Sequence, residues 1–274
     1  MRIGCCGSMV APDVDPIGAG IVETLGEIGF DYVELSLADL VQLPVAAAEA
    51  LRRRLDDAGL ACEACNNFFP ARYRLTGPDA DLDTALAYAE AAIERAGEVG
   101  AEVIVFGSGP AKMVPTGFPR DQAWNQIVRL LIRLGEFASR RGLTVVIEPL
   151  NRLECNIVTS AAEGLRLMTD VGHPNVRLLV DAYHLLREQE APDIIGVAAG
   201  AIRHVHVAAG VDRRFPHSVD ADIAAFFRWL QSTGYAGRCS VEAFTDNFAE
   251  DARRSLTLLR ELTCPSRQPI HAKA

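Results

Sequence analysis

Eight short runs of β-branched and apolar residues alternate with longer segments of helical period along this chain, and that alternation limits its fold more than any single motif. It is the signature of repeated βα units around a parallel sheet. The pattern predicts strands over 2–6, 31–35, 61–66, 102–106, 143–148, 177–181, 203–207 and 238–242. Helices are predicted between them, among others over 45–58, 84–99, 120–140, 161–171 and 223–232. Gly59, Gly100, Gly142, Gly172 and Gly234 follow these helices, where a residue free to take positive φ closes the last turn.

Eight such units within 274 residues favour an α/β fold of the closed (β/α)8 TIM barrel type over an open doubly wound sheet. An open sheet usually carries a glycine-rich phosphate loop after its first strand, and the first turn here, G-C-C-G-S-M, lacks the G-x-G-x-x-G spacing. The expected organisation is one barrel domain over 1–262, with a loosely held C-terminal tail over 263–274 that has no period.

Glu148, Asp181, His206 and Glu242 end four successive predicted strands. A carboxylate directly after an apolar run is costly to bury unless it is paired or bound to a cation. Strand alternation puts Thr144, Val146 and Glu148 on one face, and His204 with His206 on one face, leaving Val205 and Val207 toward the helices. Three carboxylates and one imidazole then converge at the barrel mouth. The set is rich in oxygen and free of thiolate, which suits one divalent cation such as Mn, Mg or Co better than a structural zinc. Manganese is the first choice, with magnesium, cobalt or zinc as alternatives. His204 sits deeper and reads as a core residue, while Glu34, inward on the second strand, is open between substrate contact and pairing with a cation.

The segments I-E-P-L-N-R-L-E (147–154), V-D-A-Y-H (180–184), H-V-H (204–206) and V-E-A-F (241–244) resemble the xylose-isomerase-like sugar isomerase and epimerase superfamily, nearest to its ketose 3-epimerases. The resemblance implies that Glu148, Asp181, His206 and Glu242 hold the metal, and that Glu148 and Glu242 accept and donate a proton on either side of a substrate carbon. It also implies substrate contacts from Glu154, His184 and Arg213, with Arg214 an adjacent alternative to Arg213. The activity implied is a metal-dependent ketose epimerase or isomerase working through an enediolate, on a small sugar or hydroxy-carbonyl substrate. A homo-oligomer, dimer or tetramer, is implied as well.

Three rival readings start from the same residues. A dehydratase of a cyclic polyol or keto acid begins with the same proton abstraction, and a binding protein could keep the fold without turnover. An apurinic endonuclease of the same superfamily needs further histidines on the third and fourth strands and after the seventh, where this chain has Asn66 or Asn67, Gly107 or Ser108, and Arg213 or Arg214. A net charge of −9 also works against a nucleic-acid partner. No window approaches a membrane span, and the start of the chain shows no signal segment, so a soluble cytoplasmic enzyme is expected.

Seven cysteines, without framework spacing, read as small core residues. Cys62 and Cys65 form a C-x-x-C on a predicted strand, where three-residue spacing should send their sulfurs to opposite faces. The glycine-rich F-G-S-G-P-A-K (106–112) lacks phosphate-loop spacing and reads as a pocket-lining loop, with V-P-T-G-F-P-R after it as part of a lid. Trp124, Phe226, Phe227 and Trp229 read as helix packing residues.

Overall fold

A computed structural model describes residues 1–264. Its strands are β1 (Arg2–Cys6), β2 (Tyr32–Ser36), β3 (Ala61–Asn66), β4 (Val103–Phe106), β5 (Thr144–Ile147), β6 (Val176–Asp181), β7 (Ile202–Val207) and β8 (Arg238–Val241). They pair in parallel in sequence order, and β8 closes on β1 to complete the barrel. The helices are α1 (Val22–Ile28), α2 (Leu37–Leu40), α3 (Val45–Asp57), α4 (Leu82–Glu98), α5 (Gly109–Lys112) and α6 (Arg120–Arg140). They continue with α7 (Ala161–Val171), α8 (Ala182–Glu188), α9 (Ile194–Val197), α10 (Ala221–Ser232) and α11 (Phe248–Thr263). Of the tail expected to be loosely held, Thr263 ends α11, Cys264 follows it, and the remainder lies outside the described residues.

Strand alternation sorts the core into two layers. Tyr32, Ala64, Val103, Val105, Val146 and Leu179 fill the barrel interior. Val33, Leu35, Ile104, Phe106, Val145, Ile147, Val205 and Val207 face outward into the layer shared with the helices. Five glycines after helices take positive φ, from 63° at Gly59 to 91° at Gly100, as the sequence predicts. Two helices begin two residues earlier than their apolar period suggests, because aspartates cap them. Asp81 accepts from the Thr84 N–H at 3.0 Å and Asp220 from the Ile223 N–H at 2.8 Å, so each first turn is stabilised before its first buried residue.

The divergence expected for Cys62 and Cys65 does not occur. The β2–β3 register shifts, with Val33 opposite Cys62 and Glu34 opposite Ala64, so Glu63 is an extra residue that re-phases the strand. Both cysteines therefore lie in the outer layer as free thiols, with Cys62 Sγ donating to the Ala64 carbonyl at 3.5 Å. The bulge also turns Glu63 to the barrel floor, where it pairs with Arg2 and with Arg238 at 2.6 Å. Cys5, Cys6, Cys155 and Cys239 are buried and free as well, and Cys264 is exposed. Trp124, Phe226 and Phe227 are buried in the helical layer, but Trp229 is 37% exposed, resting one ring edge on Gly196 of α9. Among the described residues, no helix is long and apolar enough to cross a membrane.

Candidate active site

The carboxyl ends of β5 to β8 bring Glu148, Asp181, His206 and Glu242 together, with one ligand atom of each within 4.8 Å of the others and all four side chains buried. Glu148 and Glu242 directly follow β5 and β8, three strands apart around the closed sheet. His206 Nδ1 stands between them, 3.1 Å from Glu148 Oε1 and 3.0 Å from Glu242 Oε2. Asp181 ends β6 and caps α8, its Oδ1 accepting the Tyr183 N–H at 2.8 Å while Oδ2 faces the cluster. Three buried carboxylates this close repel one another, and a divalent cation is the charge their arrangement suits. The donor set, oxygen-rich with one imidazole nitrogen aimed inward, fits such an ion.

Electrostatics in the free protein reflect that crowding. Burial, reinforced by the Glu242 charge, raises the Glu148 carboxyl above its usual range. Burial likewise lifts Asp181 to about 7, against the pull of Arg213. Burial works the same way on Glu242, but Arg213 and His206 outweigh it and hold that carboxyl at about 2.

Arg213, in the loop after β7, takes the left-handed region at φ 56° and turns its side chain back over the mouth. Its guanidinium donates to Glu242, lies 3.3 Å from Asp181 Oδ2 and 3.9 Å from Glu154 Oε1, and stacks on the Tyr183 ring at 4.7 Å. Arg214 instead pairs with Asp246 on the outside. His184, on α8, is 4% exposed. Its Nδ1 accepts from the Asn151 N–H at 3.1 Å, so Nε2 carries the proton, and Nε2 has no hydrogen-bond partner although it is buried beside Asp181. Burial, then Arg213, lower its pKa to about 3, so the ring is a neutral donor.

A cavity of about 670 Å³ opens above this cluster, lined by Asn66, Asn67, Phe69, Gly107, Ser108, Glu148, Glu154, His184, Arg213 and Glu242 among others. The glycine-rich turn after β4 is thus a wall of the cavity, as its composition predicts. Lys112 from the same turn is fully buried, and its Nζ donates to the Glu148 backbone carbonyl at 3.1 Å rather than facing the cavity. Val114, in the segment expected to act as a lid, exchanges two hydrogen bonds with Asn156, at 2.8 and 2.9 Å.

Sequence reasoning gave no role to Asn151, which joins the loop after β5 to α8. Its Nδ2 bonds Glu154 Oε1 at 2.7 Å and lies 2.9 Å from His184 Nδ1, so it orients two of the expected substrate contacts. The available signal was its place midway between Glu148 and Glu154 in E-P-L-N-R-L-E. Asn66 was named only as a missing ligand, yet its amide donates to Glu242 Oε1 at 3.4 Å.

A closed (β/α)8 barrel with a carboxylate and histidine cluster at its carboxyl-terminal mouth defines a class of barrel proteins whose chemistry is carried by strand ends. Residues 22–262 match the family model described as "Xylose isomerase-like TIM barrel", and the chain belongs to that family. It is 30% identical over 231 residues to an L-ribulose 3-epimerase of Mesorhizobium japonicum, covering 82% of this chain and 75% of that protein. It is 27% identical over 288 residues to a ketose 3-epimerase of Arthrobacter globiformis, covering 100% of this chain and 95% of the other. Its fold superposes with a TM-score of 0.86 on a D-psicose 3-epimerase crystallised with D-tagatose, from Clostridium cellulolyticum H10, at 18% identity over 96% and 99% of the two chains.

Proposed function

We propose that this protein is a divalent-metal-dependent epimerase of a ketose or closely related hydroxy-carbonyl sugar. The observation that carries the reading is the pair of carboxylates, Glu148 and Glu242, brought from β5 and β8 to the two sides of one inward imidazole nitrogen. Glu148, Asp181, His206 and Glu242 would hold the cation, with manganese suited to so oxygen-rich a set. When bound, the cation supplies Lewis-acid polarisation of the substrate carbonyl and its neighbouring hydroxyl.

The chain's own groups do the rest. One of the two glutamates removes the proton from the carbon beside the carbonyl, and the electron pair of the broken C–H bond moves toward the carbonyl oxygen. The other glutamate returns a proton from the opposite side, inverting that carbon. Which acts first depends on the substrate's configuration. The neutral His184 Nε2–H, Glu154 and Arg213 bind substrate oxygens, and Asn151 holds the first two in place. The relatives named 3-epimerases support inversion over transfer to the neighbouring carbon.

The charges favour an uncharged substrate. Among the described residues lining the cavity, Arg213 is set against Asp39, Glu148, Glu154 and Glu242, and it already pairs with two of these. Three further cations near the mouth are held by other groups: Lys112 by the Glu148 carbonyl, Arg214 by Asp246 and Arg152 by Glu188. None of these four cations is left free to pair with a sugar phosphate or with a carboxylate-bearing substrate of the dehydratase kind.

The test is proton exchange followed by NMR, using Mn-loaded protein in D2O with a panel of ketoses and Glu242→Gln as control. Metal-dependent deuterium uptake next to the carbonyl, with the epimer appearing and both lost in the variant, is expected. No exchange with any sugar despite tight metal binding would overturn the reading.

A further inference from the structure

Glu34 lies beneath the carboxylate and histidine cluster, against His206. It projects from β2 into the barrel, fully buried, and each of its oxygens meets a donor. Oε1 lies 3.0 Å from His206 Nε2, while Oε2 lies 2.8 Å from His204 Nε2 and accepts from Ser240 Oγ at 2.6 Å. Ser240 gives its proton to Glu34, so its oxygen accepts from the Tyr32 hydroxyl at 2.8 Å. His204 Nδ1 has no partner, in keeping with a ring that carries its proton on Nε2. Three donors therefore point at one carboxylate, which matches the demand of an ionised acid in an apolar interior.

An ionised carboxylate with no route to water costs stability unless fully bonded, and an apolar residue of similar size would serve a barrel core at least as well. What Glu34 adds is direction. By accepting from His206 Nε2 it leaves Nδ1 as the nitrogen that faces Glu148 and Glu242, and so the one that would offer its lone pair to a bound ion. The same bond fixes the plane of the ring, and the His204 ring stands edge-on against it with centroids 5.0 Å apart. We infer that Glu34 is a positioning residue of the metal site, which sets the tautomer and orientation of His206, with His204, Ser240 and Tyr32 as the frame that holds the carboxylate. The inference rests on the proposed metal-dependent function and assigns that site its supporting layer. One competing arrangement is visible: Cys6, Glu34 and His206 are close enough to hold an ion of their own. Both Glu34 oxygens already meet donors there, Oε1 from His206 and Oε2 from His204 and Ser240, which leaves neither free for such an ion.

The experiment measures metal affinity and ring protonation rather than turnover. Purified protein stripped with chelator is titrated with Mn by calorimetry and electron paramagnetic resonance, as wild type, Glu34→Gln and Ser240→Ala. Glutamine keeps the side chain's shape but turns an N–H toward one of the donors. The expected result is one Mn per wild-type chain, binding weakened about 10- to 100-fold in Glu34→Gln, and a smaller loss in Ser240→Ala, which leaves the bond to His206 intact. In parallel, 15N spectra of the Mg-loaded wild type should show His206 protonated on Nε2 and bare on Nδ1. This measurement decides the matter alone if Glu34→Gln fails to fold. A proton on Nδ1 in the loaded protein, unchanged Mn affinity in a folded Glu34→Gln, or two ions per chain would overturn the positioning role and leave the proposed chemistry standing. A wild type that takes up no divalent ion would overturn the metal reading and this inference with it.

Discussion

A methyl group at Gly107 would overlap Glu148 Oε2 and stand 3.3 Å from its Cδ, so the glycine that follows β4 is what leaves room for the carboxylate that ends β5. The neighbouring strand end thus shapes the site by what it omits. Gly107→Ala should push Glu148 off its position, and a displacement on the order of 1 Å costs about 100-fold in rate. The expected outcome is a kcat/KM for ketose epimerisation about 100-fold lower in a protein whose circular dichroism and melting are near those of wild type. Full activity in the variant would mean that Glu148 has another place to go.

The two adjacent arginines should separate cleanly. Arg213 reaches Glu242 and Asp181 across the mouth, whereas Arg214 pairs with the exposed Asp246. Arg213→Lys keeps a charge but loses the fork that spans two carboxylates, and steady-state kinetics should show about a 100-fold drop in kcat/KM. Arg214→Ala removes an exposed pair and should change activity by less than about twofold. Equal losses in both variants would contradict the assignment.

Acid should destabilise the metal-free protein through His184. Its pKa is lowered in the folded state from an ordinary value near 6.5 to about 3, first by burial and then by Arg213. The unfolded chain then binds more protons than the folded one between those values, so stability rises with pH there. That contribution is fully present above about 6.5 and is lost as pH falls toward 3. Urea unfolding at a series of pH values should show a shallower slope across this window in His184→Asn than in wild type. Parallel slopes would mean that the ring is protonated in the folded protein.

Phosphorylated substrates should fare worse than their parents. With Arg213 engaged by carboxylates and Lys112 buried against the Glu148 carbonyl, a phosphate on a ketose would enter a cavity lined by Glu154 and Asp39 with neither of these cations free to pair with it. Matched ketose and ketose-phosphate pairs should differ by at least about tenfold in kcat/KM in favour of the free sugar, an unpaired charge being the larger cost. A phosphate ester turned over as well as its parent would show that a cation is recruited on binding.

At the opposite end of the barrel, Glu63 is 6% exposed between Arg2 and Arg238, and Arg238 also reaches Glu102 at 2.7 Å. Glu63→Ala leaves two guanidiniums facing each other at the floor and should cost about 2 kcal/mol of stability. Since the site lies at the other mouth, thermal melting should report the loss while kcat changes little.

By itself the sequence determined the barrel, because eight apolar runs of strand length separated by amphipathic helices leave a parallel sheet few other ways to close. It also determined the principal cluster, since Glu148, Asp181, His206 and Glu242 each interrupt an apolar strand at its end, where a buried charge needs a reason. Tertiary structure decided what lies three-dimensionally close but far apart in sequence. It placed Glu34 under His206 from 172 positions away, turned Arg213 over the mouth and left Arg214 outside, and put Asn151 between His184 and Glu154. It also reversed the divergence read for Cys62 and Cys65, because a bulge is a property of two strands in register rather than of either alone. Periodicity tells which face a side chain takes, and only the closed sheet tells which other faces it meets.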